Sequence, residues 1–434
     1  MGFWYSAQPM STPARTSFRP LLAAWLGWTF DGLDGYLYIS VAIPFVTQLV
    51  ANEHGLTVDA VRAASMPEVI QKASIIQAVF LVGWAIGGVF FGRIGDKLGR
   101  SRTLTFTILT YAIFTGLAFF AQHWWHLLIF RFLAALGIGG EWAAGSALVA
   151  ETLPKRHRDW ASAVLQSGYI AGCIAAVLSA SWITTEYPVK YVFLIGVIPA
   201  FLTLWIRHSV PEPDAWKSAK AQTRDPEVKD LFAPGLARTT ILLLIHISIA
   251  LTVAWAFLFF TPQAISKIPE VKNWTLAETE ELKRNVVVCY FVVNIIANFV
   301  ATGLAKAIGP KLTFAIFMIS ALAALWFGFR TQPSLSNIYL ITCAFAATGL
   351  GMFAIFPLYV PPLFPTLLRT LGAGLTYNFG RITAAAGTLA AGFITTWAGG
   401  PAQAVFWIGL IYIPGILVCL MLPTVDRTQT TEHT

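Results

Sequence analysis

The sequence predicts an all-α membrane protein of twelve transmembrane helices, arranged as two six-helix pseudo-repeats. Three observations predict it. Apolar runs of bilayer-spanning length recur from end to end, a charged linker divides them six and six, and short motifs repeat between the halves. Of the 434 residues, 56% are hydrophobic and 12% charged, with a mean hydropathy of +0.67. A soluble chain carries roughly a quarter charged residues, whereas a spanning helix needs about 20 mostly apolar ones.

The runs fall at 19–49, 73–95, 103–122, 125–153, 160–183 and 190–207, then at 239–261, 286–306, 313–330, 337–360, 370–396 and 401–422. They define a first half over 1–207 and a second over 239–434. The linker, 208–238, holds Pro211, Pro213, Pro226 and Pro234 among mixed charges and reads as amphipathic or flexible. A second polar insertion, 262–285, separates spans seven and eight. The repeat shows in ETLPKRHR leading to LQSG and in PLFPTLLR leading to YNFG, with Pro154 and Arg158 lying 211 residues before Pro365 and Arg369. Parallel repeats about a central linker fit a machine whose halves rock around a midplane site.

Basic residues assign the sides. Nineteen of the 29 Lys and Arg fall in the tails and loops on the terminal side, eight on the opposite side and two within spans. The positive-inside bias places both termini in the cytoplasm of a plasma or inner membrane. The same distribution accounts for the net charge of +8 without a nucleic-acid surface. Cys173, Cys289, Cys343 and Cys419 sit in apolar stretches with no metal-ligand or paired spacing and read as small core residues. Arg15 and Arg19 lead into a run too long for a cleavable signal. Met1, Gly2 and Ser6 match a short acylation pattern. No nucleophile–base constellation, phosphate loop or metal site points to an enzyme.

Between spans two and three the chain reads GRIGDKLGRSR, residues 92–102. Gly92 and Gly99 permit close helix approach and a sharp turn. Asp96 can meet a helix N-terminus or an arginine, and Lys97, Arg100 and Arg102 supply cations. A latch that breaks and re-forms needs this mixture of signs; a topology loop alone needs only the cations.

This loop resembles the signature of the major facilitator superfamily, G-x-x-x-D-[RK]-x-G-[RK]. RFLAALGIGGEWAAGSALVAETLPKRHR (131–158) and PPLFPTLLRTLGAGLTYNFGR (361–381) resemble segments of its metabolite:proton symporters. DGLD (31–34) is similar to the aromatic-acid:proton branch and GGEW to the sialate and monocarboxylate branches. The second-half counterpart of the latch, GLAKAIGPK (303–311), lacks the aspartate, and Pro362 stands where the family often has an acid. A symmetric latch is therefore not expected. Glu151, at the repeat position equivalent to Pro362, keeps its acid.

Five ionisable residues lie deep in predicted spans: Asp31, Asp34, Arg131, Glu141 and Arg381. Facing lipid, each costs roughly 2.5–3.5 kcal/mol at a helix centre. Asp31 and Asp34 share one helical face. Glu141 lies about 15 Å deeper along span four than Arg131, at 1.5 Å per residue, so Arg131 can reach the level of the aspartates. Either this is a static ion pair, or the surplus of acids leaves one carboxyl holding a proton. Asp34 and Glu141 are the first candidates, tuned by Asp31 and Arg131. Arg381 has no acid in its own half; with Asn378 and Tyr377 beside it, it suits a carboxylate ligand, the alternative being packing on span-ten carbonyls. Tyr290, Asn294 and Asn298 form a polar stripe on span eight that either lines a path or joins helices. Gln166 and Trp142 are further lining candidates, and His246 reads as a hydrogen-bonded core histidine.

Together these features and the resemblance imply a proton-coupled symporter importing a small organic anion, such as a monocarboxylate, an aromatic acid or sialic acid, by alternating access. The proton is the coupling ion, with no other cofactor. The partners are the substrate and the lipid bilayer, with no nucleic acid, and the chain works as a monomer. The alternatives are a facilitator or proton symporter of a neutral sugar or polyol, with Arg381 structural, and a transporter-like sensor without turnover.

Overall fold

Backbone in a bilayer must satisfy its own hydrogen bonds, and each apolar run does so as a helix. The computed structural model describes residues 18–424 except 65, 213, 215 and 218–226. The acylation pattern at Met1, Gly2 and Ser6, the basic Arg15 and the centre of the linker lie outside the described residues. Ten helices among the described residues are long and apolar enough to cross a membrane, and there is no strand among them.

Spans one to five are Arg19–His54, Met66–Leu98, Arg100–Leu117, Trp124–Thr152 and Lys155–Glu186. Span six starts as a 3-10 run, Val189–Val197, and turns α-helical at Ala200–Ser209. Pro199 lies at that change, where its missing N–H is tolerated. In the second half, spans seven to nine are Ala237–Ile265, Leu276–Ile308 and Pro310–Gly328, and span eleven is Arg369–Ala398. Span ten is broken: Ile338–Phe345 is α, Ala346–Leu350 is a π turn, Gly351–Ile355 is 3-10, and Phe356–Tyr359 is α again. Span twelve is Pro401–Gly409 and Tyr412–Met421.

Two expected loops turn out shorter. Helix seven runs on to Ile265 and helix eight begins at Leu276, leaving only 266–275 of the insertion placed at 262–285. Thr275 and Glu278 form a capping box there, each side chain accepting from the other's backbone N–H. The linker is not loose throughout either, since its first residues dock on the loop after span two.

In the first half, span one packs along span five, and spans two and three along span four. Span two meets span eleven and span five meets span eight, which joins the halves. The repeat is visible in local geometry. Pro154 (φ −57°, ψ 147°) and Pro365 (φ −52°, ψ 151°) each precede a helical turn. The two arginines differ in their acceptors, Arg158 Nε donating to Leu153 O and Arg369 Nε to Pro361 O, at 3.0 and 3.2 Å. His246 is buried but finds no hydrogen-bond partner, contrary to expectation. It stands edge-on to Phe314 and Phe356 at 4.8 and 5.8 Å.

Spans one and five cross so closely that a Cβ on Gly172 would overlap the Thr29 carbonyl. Gly172→Ala should therefore cost roughly 1–3 kcal/mol. Its melting temperature should fall well below that of Gly303→Ala, where a Cβ meets nothing within 4 Å. Equal melting temperatures would mean that the crossing yields without cost.

Candidate functional site

The loop between spans two and three turns at Gly99, whose φ of 111° disfavours any side chain. Glu212, from the linker, fills the space a Cβ would need there. Its carboxylate accepts from the backbone N–H groups of Arg100, Ser101 and Arg102 at 2.6, 3.2 and 3.0 Å. An anion at the open N–H groups of a helix start gains from both hydrogen bonding and the helix dipole. Ser101 Oγ donates to Val210 O, and Trp216 Nε1 to Asp96 O, at 2.8 and 2.9 Å.

The latch motif crosses to the other half. The sequence offered Asp96 a helix N-terminus or an arginine, and it has both. Its carboxylate accepts from the Leu371 N–H, in the first turn of span eleven, at 2.8 Å and lies 3.1 Å from Arg100. Arg100 is fully buried. Its Nε and Nη2 donate to the Glu151 carboxylate at 3.0 Å each, and its remaining bonds go to Gly95 O and Thr366 O at 2.7 and 2.8 Å. Arg369 Nη1 donates to the same Glu151 at 3.1 Å. Burial first, and then Arg369 beside it, push the Arg158 guanidinium below the usual arginine range, against the pull of Glu151. Gly92 backs onto Thr370 and Leu371. Lys97 is half-buried at the edge, and Arg102 is exposed and contributes its backbone N–H.

The intramembrane charges separate into two groups. Arg131 Nη1 donates to Asp34 Oδ2 at 2.8 Å, Arg131 Nη2 to Asp34 O at 3.2 Å, and Thr115 Oγ1 to Asp34 Oδ1 at 2.6 Å. The guanidinium also lies 4.3 Å from the Phe80 ring centre. Asp34 is thus fully engaged. Three residues down span one, Asp31 faces Glu141 at hydrogen-bonding range. No donor reaches either carboxyl. Two ionised carboxylates there could only repel; one shared proton turns the contact into a hydrogen bond.

Arg381 is a cation neighbour of Asp31. Among the described residues no carboxylate oxygen lies within 4.0 Å of it. It does not pack on span-ten carbonyls. Its guanidinium lies 3.9 Å from the Trp84 ring centre and 5.0 Å from that of Tyr377. It donates to Asn378 Oδ1, while its Nε has no partner. Asn378 Nδ2 in turn donates to Gly139 O, across the halves, at 3.1 Å and to Gly374 O at 2.9 Å. Trp142 stacks on Tyr377 at 3.8 Å.

A central cavity of about 50 Å³ opens beside Arg381, lined by Trp28, Gln166, Trp255, Asn294 and Tyr377 among others. That is room for about one or two waters. Trp28 Nε1, Gln166 Oε1 and Asn294 Oδ1 lack partners there. Away from the latch, the Tyr36 and Tyr290 hydroxyls share a hydrogen bond at 3.3 Å, and Arg284 Nη1 donates to Ser181 Oγ at 3.4 Å, so this face is closed too. Of the predicted span-eight stripe, only Asn294 lines the cavity. Tyr290 closes this second face, and Asn298 is buried with its amide unpartnered.

Residues 29–279 match the model of the Major Facilitator Superfamily. The chain belongs to that superfamily. It is 29% identical over 411 residues to the sialic acid transporter NanX of Escherichia coli, covering 92% of this chain and 90% of that one. It is 29% identical over 404 residues to a probable 4-methylmuconolactone transporter of Cupriavidus pinatubonensis, covering 91% and 87%. The structure of the proton:xylose symporter XylE bound to 6-bromo-6-deoxy-D-glucose shares the fold, with a TM-score of 0.71 at 16% identity over 94% of this chain and 96% of that one. This member of the superfamily is a multi-pass membrane transporter, not an enzyme.

Sequence reading missed Trp84, whose only signal is an aromatic set in the small-residue run VGWAIGG. It also missed Glu212, which looks like one more charge in a polar linker. Glu151→Gln tests the latch. It leaves Arg100 and Arg369 facing one neutral amide, and removing one partner of a buried pair costs on the order of 3–5 kcal/mol. Because that cost falls only on the closed arrangement, spin labels at the exposed Leu98 and Leu312 should move apart. An unchanged distance distribution would show that this network does not hold the halves together.

Proposed function

We propose that this transporter is a proton-coupled symporter of a small organic anion. The anion's carboxylate sits on Arg381, and the proton on the Asp31–Glu141 pair. The observation that carries this reading is a single geometry. A guanidinium laid on Trp84 with its Nε open is the charge neighbour of Asp31, one of two facing carboxyls that no donor reaches. Guanidinium binds carboxylate through two parallel bonds. With both acids ionised, an arriving anion would bring a third negative charge against one cation. A proton on the pair removes one of them, so anion and proton enter together. A relative named for sialic acid supports an anionic cargo without assigning that one.

In this reading Asp34 and Arg131 are a fixed pair that ties span one to span four, and coupling belongs to Asp31 and Glu141. Alternating access breaks the latch on one face and the Tyr36–Tyr290 contact on the other. On the same reading the latch face is cytoplasmic, with both termini inside a plasma or inner membrane, and its share of the basic residues supports that orientation. The working unit in this reading is the monomer, which a cavity lined by one chain supports.

Uptake into proteoliposomes tests both assignments. Asp31→Asn and Glu141→Gln should abolish accumulation driven by a pH gradient while sparing counterflow; pH-driven uptake in both variants sinks the proton assignment. Arg381→Lys keeps the charge but loses the fork. With a charge-assisted bond contributing on the order of 1.5–3 kcal/mol, affinity should fall roughly ten- to a hundredfold. Arg381→Ala should remove anion uptake from a folded protein, and full affinity for an acid in that variant would overturn the carboxylate site.

A further inference from the structure

Spans eight and ten pack together and bring two thiols face to face. Cys289 and Cys343, 54 residues apart in sequence, hold their sulfur atoms 3.6 Å apart. Both are half-buried. Cys173 and Cys419, by contrast, are buried and donate to the carbonyls of Gly32 and Lys311. Cys289 lies about one turn past the polar Arg284 and Asn285, and Cys343 less than two turns past Asn337. Both therefore sit at shallow depth, near the face opposite the latch.

We propose that Cys289 and Cys343 form a disulfide modification site that, once oxidised, fixes the second-half wall of the central cavity. A disulfide needs sulfurs about 2.05 Å apart, so each thiol has to rotate by less than about 1 Å. The bond would act on the cavity through both helices. Just past Cys289 come Phe291 and Asn294, and past Cys343 the π and 3-10 turns carry Leu350 and Phe353; all four line the cavity. The reaction is thiol–disulfide exchange. One thiol, as its thiolate, attacks a low-molecular-weight disulfide and expels one thiol; the second then attacks the mixed disulfide and expels the other. Two protons and two electrons leave the protein and reduce one external disulfide to two thiols. That the wall belongs to the transport path rests on the proposed function, whereas the thiol chemistry does not.

The test uses the purified full chain, treated with oxidised glutathione and then denatured and alkylated. Two of the four cysteines should escape alkylation, and a Cys289–Cys343 cross-linked peptide should appear. Hydrogen–deuterium exchange over 346–355 should slow on oxidation and recover with dithiothreitol, with Cys343→Ser showing neither change. Four alkylated thiols, or glutathione adducts without the cross-link, overturn the disulfide. A cross-link that leaves exchange over 346–355 unchanged overturns its action on the wall, and neither result bears on Arg381 or the acid pair.

Discussion

The two-pronged bond between Arg100 and Glu151 is the contact on which the closed latch face depends. Both side chains are withdrawn from solvent, where an incomplete ion costs several kcal/mol. Arg369 and Asp96 complete the set of direct contacts, two cations and two carboxylates, with Arg158 beside them. Arg100 reaches backbone carbonyls in both halves, so completing its hydrogen bonds is the same event as bringing the halves together. Arg381 is the opposite case. Its charge rests on ring faces and one amide, which satisfies it only in part.

The closure is lopsided between the halves. The first half supplies both acids, Asp96 and Glu151. The second offers Arg369, the Thr366 carbonyl and the Leu371 N–H, because Pro362 and the shortened 303–311 loop leave it no acid to reciprocate. The far face is held by a hydroxyl pair and a long bond from Arg284. Charge-assisted hydrogen bonds are roughly twice as strong as neutral ones, so the two faces differ in what must be broken to open them.

Much of the fold was legible because a spanning helix is a local property. An apolar run declares itself without reference to the rest of the chain, and its rise per residue is fixed. That arithmetic was enough to put Arg131 level with Asp34, and the charge and spacing of the latch motif were enough to give the kinds of partner that Asp96 meets. What could not be read were pairings set by how helices rotate against one another. Nothing local to Trp84 says that a guanidinium from span eleven lies on it, and nothing in the spacing of Cys289 and Cys343 says that they meet. The sequence supplied His246 with an assumed partner, but the helices around it present only rings. Polar residues misled in another way. Residues 276–285 read as loop although they form the first turns of a long helix, and Glu212 read as solvated although it is bound by three backbone N–H groups.

The irregular middle of span ten changes what that helix can transmit. A π turn takes in more residues per revolution than an α turn and a 3-10 turn fewer, so the adjoining stretches at 346–350 and 351–355 are wound in opposite senses relative to the rest. Exchanging a residue between them would twist one end of the helix against the other while its length stayed nearly constant. The stretch before 346, and the stretch after 355, can therefore rotate relative to one another. A straight α-helix in that place would turn as one body, both ends together.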